Sequence, residues 1–310
     1  MAILELIPYC KDYLWGGNRL KTDFHKQFDG EPLAETWELS CHPDGMCSIA
    51  NGKYAGRTLA DYIAAEGRHV LGANCQIFSD FPVLIKLIDA KRDLSIQVHP
   101  NNTYALEHEG QYGKTEMWYI LDAAEGASLY YGLKKVITRE ELRKRIEEGT
   151  LLEVLNSVPV KKRDVFFIPT GTIHAIGSDI LLAEVQQSSN VTYRVYDYNR
   201  LGADGKPRPL HIDKAVDVAH TEPPRTGYDF GGHLARCSYF TADAVHAPYT
   251  GDCDDESFTH LLILEGEGTI RCGDESLALR KGSSIFLPAE SGLFSLEGQM
   301  DALMTRVGTI

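Results

Sequence analysis

Four residues of this chain have the side chains that metal sites use. Gln97 and His99 lie two positions apart in the run SIQVHP, and in an extended strand that spacing puts both on one face. Glu116 and His174 follow in other strand-like runs. An amide, two imidazoles and a carboxylate suit Zn²⁺, Fe²⁺ or Mn²⁺. A metal bound by all four residues would join segments that are far apart in the chain.

Taken alone, each of these residues is more simply explained as a surface or hydrogen-bonded strand residue. The metal-site hypothesis therefore depends on all four occurring together. Because the ligands are widely spaced, the pattern predicts a metal at the mouth of a β-barrel rather than a zinc finger, whose ligands lie close together. A second metal site at His42 and Cys47 is not favoured, because the rest of a tetrahedral ligand set is missing around them.

Composition limits the possible partners. The chain has 310 residues and a formal net charge of −13, which argues against binding to nucleic acid or to anionic lipid. An anionic small substrate held by local positive charge stays possible. No run approaches the roughly 20 apolar residues of a membrane helix, and no signal peptide is visible. Seven scattered cysteines indicate reduced thiols and a cytoplasmic location.

The elements that must position these residues are mostly strands. Short apolar or alternating runs, bounded by Gly, Pro, Asn and Asp, predict a mainly β protein with a few short helices. Helices are expected over 58–66 and, after the capping-box pattern TREE, from 138 to about 156. A Pro-rich stretch at 222–225 predicts a linker.

A weak internal repeat predicts a second barrel. The runs MWYILDAAEGASLYYG and RDVFFIPTGTIHAIG are similar to THLLILEGEGTIRCG and RKGSSIFLPAESGLFSLEG. Aligned on the shared Pro, His174 falls opposite Leu293, and His260 has no matching histidine. We therefore predict a catalytic metal-binding domain with a helical insert over 1–225 and a degenerate domain without metal ligands over 226–310.

Longer motifs resemble a known family. AETWELSCHPDG, FPVLIKLIDAKRDLSIQVHP, YGKTEMWYIL, IPTGTIHAIG and EVQQSSNVTYRVYDYNR together resemble the type I phosphomannose isomerases, in their short bacterial form. The resemblance implies two cupin-type (jelly-roll) β-barrels and one zinc ion. It also implies an enzyme that interconverts mannose-6-phosphate and fructose-6-phosphate through a cis-enediol. The helical region of the larger members is shortened here.

The same resemblance implies a role for each matching residue. The implied zinc ligands are Gln97, His99, Glu116 and His174. The implied catalytic residues are Arg194, Lys114 and, as a candidate base, Glu184. The implied substrate-binding residues are Ser95, Lys86 and Arg200, of which the last would contact the phosphate. Two of these roles have an alternative. Glu184 is equally expected as a solvated or salt-bridged strand residue. For Arg200, the alternative to a phosphate contact is an ion pair with Asp197.

Two other classes of function compete with the isomerase. One is a cupin that binds a sugar phosphate as a sensor without converting it. The other is a metal oxygenase, although an amide ligand at Gln97 fits a three-ligand iron site poorly. Lys114, Arg194 and Arg200 beside the ligand set favour the enzyme, because binding alone would not need all of them. The expected partner is a phosphorylated sugar, and the sequence leaves open whether the chain is a monomer or a dimer.

Overall fold

The computed structural model describes residues 3–201 and 205–308. The fold is mainly β, as the sequence predicts. The strands are β1 (Leu4–Ile7), β2 (Tyr9–Lys11), β3 (Glu35–Leu39), β4 (Cys41–His42), β5 (Gly45–Met46), β6 (Ser48–Ile49), β7 (Val83–Ala90), β8 (Ile96–Val98), β9 (Glu116–Ala123), β10 (Ser128–Leu133), β11 (Leu155–Pro159), β12 (Val165–Ile168), β13 (His174–Ala175), β14 (Ile180–Gln187), β15 (Tyr193–Tyr196), β16 (Ala235–Arg236), β17 (Thr241–His246), β18 (Tyr249–Cys253), β19 (Thr259–Cys272), β20 (Glu275–Arg280), β21 (Ser284–Leu287) and β22 (Gly292–Arg306).

The helices are short. They are α1 (Arg19–Thr22), α2 (Leu59–Glu66), α3 (Asn102–Glu109), α4 (Arg139–Glu147) and α5 (Ile212–Val218), with 3₁₀ turns at Gly52–Tyr54, Arg68–Leu71, Ala73–Cys75 and Leu151–Val154. In α2, the Thr58 hydroxyl accepts the N–H of Asp61 while the Asp61 carboxylate accepts the N–H of Thr58, which is a full capping box.

Helix α4 is shorter than the sequence analysis predicts. It begins as expected, because the Thr138 hydroxyl accepts the N–H of Glu141. It ends at Glu147, since Gly149 follows with a φ of 70°, a left-handed conformation that terminates helices. A 3₁₀ turn and strand β11 occupy the rest of the stretch to residue 156. Helix α3 was not predicted, although Asn101 at its N-cap accepts the N–H of Tyr104 and was a usable signal.

The chain forms two compact units that are interleaved in sequence. The first consists of Met1–Ile88, Ala183–Ser188 and Asp229–Ile310, and the second of Asp89–Leu182 and Ser189–Tyr228. The predicted division into domains 1–225 and 226–310 stays a prediction, since compact units need not coincide with sequence-contiguous domains.

The first unit contains a large antiparallel sheet. Its strands follow the order β16-β17-β22-β19-β21-β1-β6, with β18 beside β22 and β20 beside β19. Leu4 pairs with Phe286, so the beginning of the described chain hydrogen-bonds with its last strands. Strand β3 pairs with both β2 and β7 in the same unit.

The second unit is built around a sheet in the order β11-β10-β13-β8-β15, and β9 pairs with β12. One face of the sheet contributes to a core that also includes residues of α4 and α5. No helix among the described residues has the length and apolar character required to span a membrane.

A buried polar network lies inside the first unit. The Lys26 ammonium is 2.7 Å from the Glu38 carboxylate and donates to the carbonyl of Gly282 at 2.6 Å. The Ser284 hydroxyl donates to the carbonyl of Glu38 at 2.9 Å, and Nε2 of His260 is 2.9 Å from that hydroxyl. Burial, and then the charge of Lys26, lower the pKa of His260 to about 3. His260 is therefore neutral and is part of this buried network.

Candidate metal centre

Strand β8 divides its side chains between the core and a polar face. Ile96 and Val98 are fully buried in the core of the second unit. Gln97, between them, therefore points to the opposite side of the sheet. Ser95 and His99 flank the strand at the same two-residue spacing and share the side of Gln97. The alternation in SIQVHP thus brings the amide and the imidazole to one face.

The neighbouring strands continue this polar face. His174 of β13 and Arg194 of β15 both pair with Gln97, and residues directly opposite each other in antiparallel strands project to the same face. Their chain neighbours Ala175 and Val195 belong to the core. One row across three strands therefore carries an imidazole, an amide and a guanidinium.

Glu116 reaches the same place from strand β9. Its Oε1 lies 3.2 Å from Nε2 of His174, and its Oε2 lies 3.7 Å from Nε2 of His99. Gly113 allows this approach, because a Cβ at that position would lie 2.5 Å from the carbonyl oxygen of Pro100. The missing side chain thus lets the segment before Glu116 pack against the segment after His99.

Lys114 and Gln97 complete the cluster. The Lys114 ammonium is 2.6 Å from Oε2 of Glu116 and 3.3 Å from Nε2 of His99. Nε2 of Gln97 is 3.4 Å from Nε2 of His174. One candidate ligand atom from each of His99, Glu116 and His174 lies within 4.8 Å of the others, and all three residues are buried.

A backbone carbonyl oxygen contacts Nδ1 of each histidine, on the ring edge away from Glu116. Nδ1 of His99 is 2.8 Å from the oxygen of Val191, and Nδ1 of His174 is 2.8 Å from the oxygen of Thr172. A carbonyl only accepts, so Nδ1 carries a proton in each ring, and Nε2 is the ring nitrogen that faces Glu116. Metal-binding histidines have this kind of partner on the second ring nitrogen. Burial, and then Lys114, lower the pKa of His99 well below its ordinary value, which keeps that ring neutral.

Glu116 is ionised although it is fully buried. Burial alone would raise its pKa, but the adjacent positive charge of Lys114 outweighs burial and holds the pKa well below its ordinary value. Among the described residues, neither carboxylate oxygen of Glu116 has a hydrogen bond of ordinary geometry. A buried carboxylate beside the Nε2 atoms of two imidazoles is an environment that a divalent cation satisfies. The nitrogen and oxygen donors of this cluster therefore fit a transition metal such as zinc.

Arg194 is fixed beside the cluster by neutral groups. Its Nε donates to the Ser95 hydroxyl at 3.3 Å and its Nη1 to the carbonyl of Pro209 at 3.1 Å. Its backbone N–H donates to Nδ1 of His211 at 3.1 Å. No carboxylate is among these partners, so its positive charge stays available to an anionic ligand.

Arg200 adopts the alternative that the sequence left open. Its Nε donates to Oδ1 of Asp197 at 3.2 Å, and its Nη2 contacts the same oxygen. Arg208 binds the same carboxylate, with Nε 2.7 Å from Oδ2 and Nη2 2.6 Å from Oδ1. Arg208 was not predicted as a site residue, because a single arginine in the loop run GKPRPL carries no recognisable pattern.

Lys86 and Glu184 lie in the first unit, where they form a buried ion pair. The Lys86 ammonium is 3.3 Å from Oε1 of Glu184 and 3.6 Å from Oε2 of Glu35. Glu184 is therefore salt-bridged, which was one of the two expectations for it. The roles of both residues in catalysis and substrate binding stay predictions.

Two protein-family models match the chain. Residues 3–126 match the model described as phosphomannose isomerase type I, catalytic domain. Residues 233–307 match the model described as mannose-6-phosphate isomerase, cupin domain. The second match lies where the internal repeat predicts the C-terminal barrel.

Several proteins are similar to the chain over nearly its whole length. A mannose-6-phosphate isomerase of Streptococcus mutans is 39% identical over 94% of this chain and 93% of its own. One from Bacillus subtilis is 37% identical over 97% of both chains. A crystal structure of the mannose 6-phosphate isomerase from Bacillus subtilis superimposes with a TM-score of 0.90 at 36% identity, covering 98% of this chain and 99% of that one. These similarities confirm the predicted fold class, a mainly β protein of cupin type.

Proposed function

The chain belongs to the type I phosphomannose isomerase family and is an isomerase of that family, and on this premise we propose that it converts mannose-6-phosphate into fructose-6-phosphate and back with one bound zinc ion. The observation that carries the proposal is the buried cluster of His99, Glu116 and His174, whose candidate ligand atoms lie within 4.8 Å of one another. Gln97, next to His174, is the proposed fourth ligand. The proposed place of action is the cytoplasm.

The reaction moves a proton between two carbons of the sugar. A base takes the proton from C2 of the aldose and returns it to C1, while O1 gains a proton and O2 loses one, so that a cis-enediol lies between the two sugars. Negative charge develops on a substrate oxygen during this transfer. A bound zinc ion supplies positive charge that stabilises such an oxygen.

Residues of the chain are proposed to stabilise charge, to transfer the proton and to bind the substrate. Arg194 and Lys114 supply fixed positive charge next to the ligands, and an arginine stays protonated at neutral pH, so it stabilises anions and is a poor base. Glu184 is the proposed base, because a carboxylate can accept a proton from carbon when it lies within hydrogen-bond reach of the substrate. Ser95, Lys86 and the loop that carries Arg200 are the proposed substrate contacts.

A metal-dependence experiment tests the proposal. Metal content is measured first, and formation of fructose-6-phosphate from mannose-6-phosphate is then followed before chelation, after chelation and after zinc is added back. Turnover should disappear with the metal and return with zinc. The Glu116→Gln variant should lose both metal and activity, whereas Glu107→Gln, at an exposed position of α3, should keep both.

Two outcomes contradict the proposal. A metal-free protein with full turnover would remove zinc from the reaction. A protein that binds mannose-6-phosphate tightly without converting it would favour the sugar-phosphate sensor instead.

A further inference from the structure

Three arginines lie near a single carboxylate at the edge of the polar face, and two of them bind it. Arg194 lies on β15, Asp197 follows that strand, and the loop that continues from it carries Arg200 and Arg208. Asp197 is 5% exposed and is ion-paired with both loop arginines. Three positive charges against one negative charge leave a local surplus of positive charge in a chain whose formal net charge is −13. Such a surplus is stabilised when an anion binds.

The protein already uses every nitrogen of the Arg200 guanidinium. Its Nε donates to the backbone oxygen of Asp197 at 3.3 Å and to Oδ1 at 3.2 Å. Its Nη2 contacts the same carboxylate, and its Nη1 contacts the carbonyl of Asp93. All three nitrogens of Arg200 therefore hold the loop, and at most one N–H on each Nη is left for a ligand.

Arg208 and Arg194 each have an Nη group that makes no hydrogen bond to the described residues. Arg208 binds Asp197 through Nε and Nη2, and its Nη1 has no partner among the residues that the structure describes. Arg194 uses Nε and Nη1 for Ser95 and Pro209, and within the same described ranges its Nη2 has none. Each guanidinium thus has an unused Nη group that can donate to a ligand.

These two arginines are neighbours in space. Nη1 of Arg194 donates to the carbonyl of Pro209, the residue that follows Arg208 in the chain. Burial lowers the pKa of Arg194 most, and the charge of Arg208 lowers it further; the second contribution reflects repulsion between the two cations. An anion between them would relieve this repulsion.

We infer that Arg208, together with Arg194, contacts the phosphate group of the sugar phosphate and that Arg200 is a positioning residue that acts through Asp197. The inference rests on the proposed function for the identity of the ligand. A phosphate has three terminal oxygens that accept charge-assisted hydrogen bonds, and guanidinium groups match their geometry. Asp197 orients Arg208 by holding two of its nitrogens. The phosphate contact expected at Arg200 is thereby reassigned to Arg208.

Single substitutions separate the two roles. Arg208→Gln should raise KM for mannose-6-phosphate and the Kd for inorganic phosphate by about 10- to 100-fold. The change in kcat should be small, because the remote phosphate is bound equally in the ground and transition states. Arg208→Lys keeps the charge and loses the fork, so it should give a smaller loss. Arg57→Gln, at an exposed position, is the matched control and should change neither constant.

A double variant tests whether Arg200 acts through Arg208. Arg200→Gln alone should weaken phosphate binding, and adding it to Arg208→Gln should produce little further loss, because effects along one chain of contacts are not additive. Kd for inorganic phosphate is measured by titration calorimetry on the metal-loaded protein, and melting temperatures verify that each variant is folded. If Arg208→Gln fails to fold, Arg208→Lys provides the same comparison.

The results that would overturn the inference are specific. Unchanged KM and unchanged phosphate affinity in Arg208→Gln would remove Arg208 from the phosphate site. Additive losses in the double variant would mean that Arg200 contacts the phosphate directly. A wild-type protein that binds inorganic phosphate through Arg208 but does not convert mannose-6-phosphate would contradict the proposed function and support the anion site.

Discussion

Arg194 is the residue whose charge is most available to a substrate. Its guanidinium is held by a hydroxyl and a carbonyl, and it lies in the same row as Gln97 and His174. Arginines in such a position stabilise charge that develops in the transition state, while metal binding depends on other side chains. A substitution of Arg194 should therefore reduce catalysis without releasing the metal.

We predict that Arg194→Ala keeps its zinc and loses turnover by about 100- to 1,000-fold, the range found when one preorganised donor is removed from an active site. Metal analysis and kcat are measured on the same sample. Arg57→Ala, at an exposed position, is the control and should retain wild-type kcat. An Arg194→Ala enzyme with near wild-type kcat would exclude a catalytic role for Arg194.

The candidate site was partly predictable residue by residue. The types and spacing of Gln97, His99, Glu116 and His174 were sufficient to propose a cluster, because strand alternation is a local rule. The contacts of Arg208 were not predictable, since they depend on how one irregular loop returns to Asp197. Loop conformation is set by hydrogen bonds between residues that have no fixed spacing in sequence.

At the scale of elements, the buried network around β3, β19 and β21 makes stability depend on pH. His260 stays neutral in the folded state, where burial and Lys26 lower its pKa to about 3, whereas an unfolded chain has an ordinary histidine with a pKa of about 6.5. Between these values the unfolded state binds the proton and the folded state does not. Stability therefore falls as the pH drops below about 6.5, and the loss from this residue ends near pH 3.

We predict that His260 alone makes the protein about 2 kcal/mol less stable at pH 5 than at pH 7. His260→Gln should reduce this difference, because an amide does not titrate. Unfolding by denaturant at the two pH values measures the effect, and His69→Gln, at an exposed position, serves as the control. The same pH dependence in wild type and His260→Gln would show that other groups cause it.

Helix boundaries marked by nearby residues in the sequence were predicted better than boundaries without such a signal. The predicted start of one helix at Thr58 and the capping-box pattern at Thr138 agree with the starts of α2 and α4. The end of α4 was misjudged, because the amphipathic pattern continues past Gly149 into a 3₁₀ turn and a strand. Helix α3 was missed, since its apolar residues form no clear stripe and its N-cap was the main signal.

At the scale of the whole molecule, the four proposed ligands all lie in one compact unit. Gln97, His99, Glu116 and His174 belong to the second unit, although they are spread over 78 positions of the sequence. A ligand that binds only the folded state adds stability by mass action, about 2.7 kcal/mol when its concentration is 100 times Kd. That stabilisation should appear first in the strands that carry the ligands.

We predict that chelation accelerates amide hydrogen exchange in β8, β9 and β13 more than in β19 and β22. Exchange reports local opening free energies strand by strand, and mass spectrometry of peptides resolves these strands. The Glu116→Gln variant should show no further change with chelator, because it starts without the metal. An equal acceleration in all of these strands would mean that the metal stabilises the protein as one cooperative body.

The interleaving of the two units was beyond the sequence analysis. Strand β1 pairs with β21 through Leu4 and Phe286, and no local pattern relates residues so distant in the chain. Hydrophobic periodicity predicts that a segment is a strand, whereas its partner is decided by packing over the whole chain. The fold class could be predicted, because many short runs each had the pattern of a strand. Which of the two units each segment belongs to could not be predicted from these runs.

The pairing of β1 with β21 has a consequence for how the protein is synthesised. On the ribosome, β1 emerges well before the segment that begins at residue 229, so β1 lacks its partner β21 while the residues between them are made. Leu6 pairs with Ile49 of β6, which follows soon after, whereas Leu4, buried in the finished protein, has its partner Phe286 in β21 and waits for it. A strand with one open edge aggregates readily, and chaperones that shield newly made chains should therefore matter most before β21 has emerged.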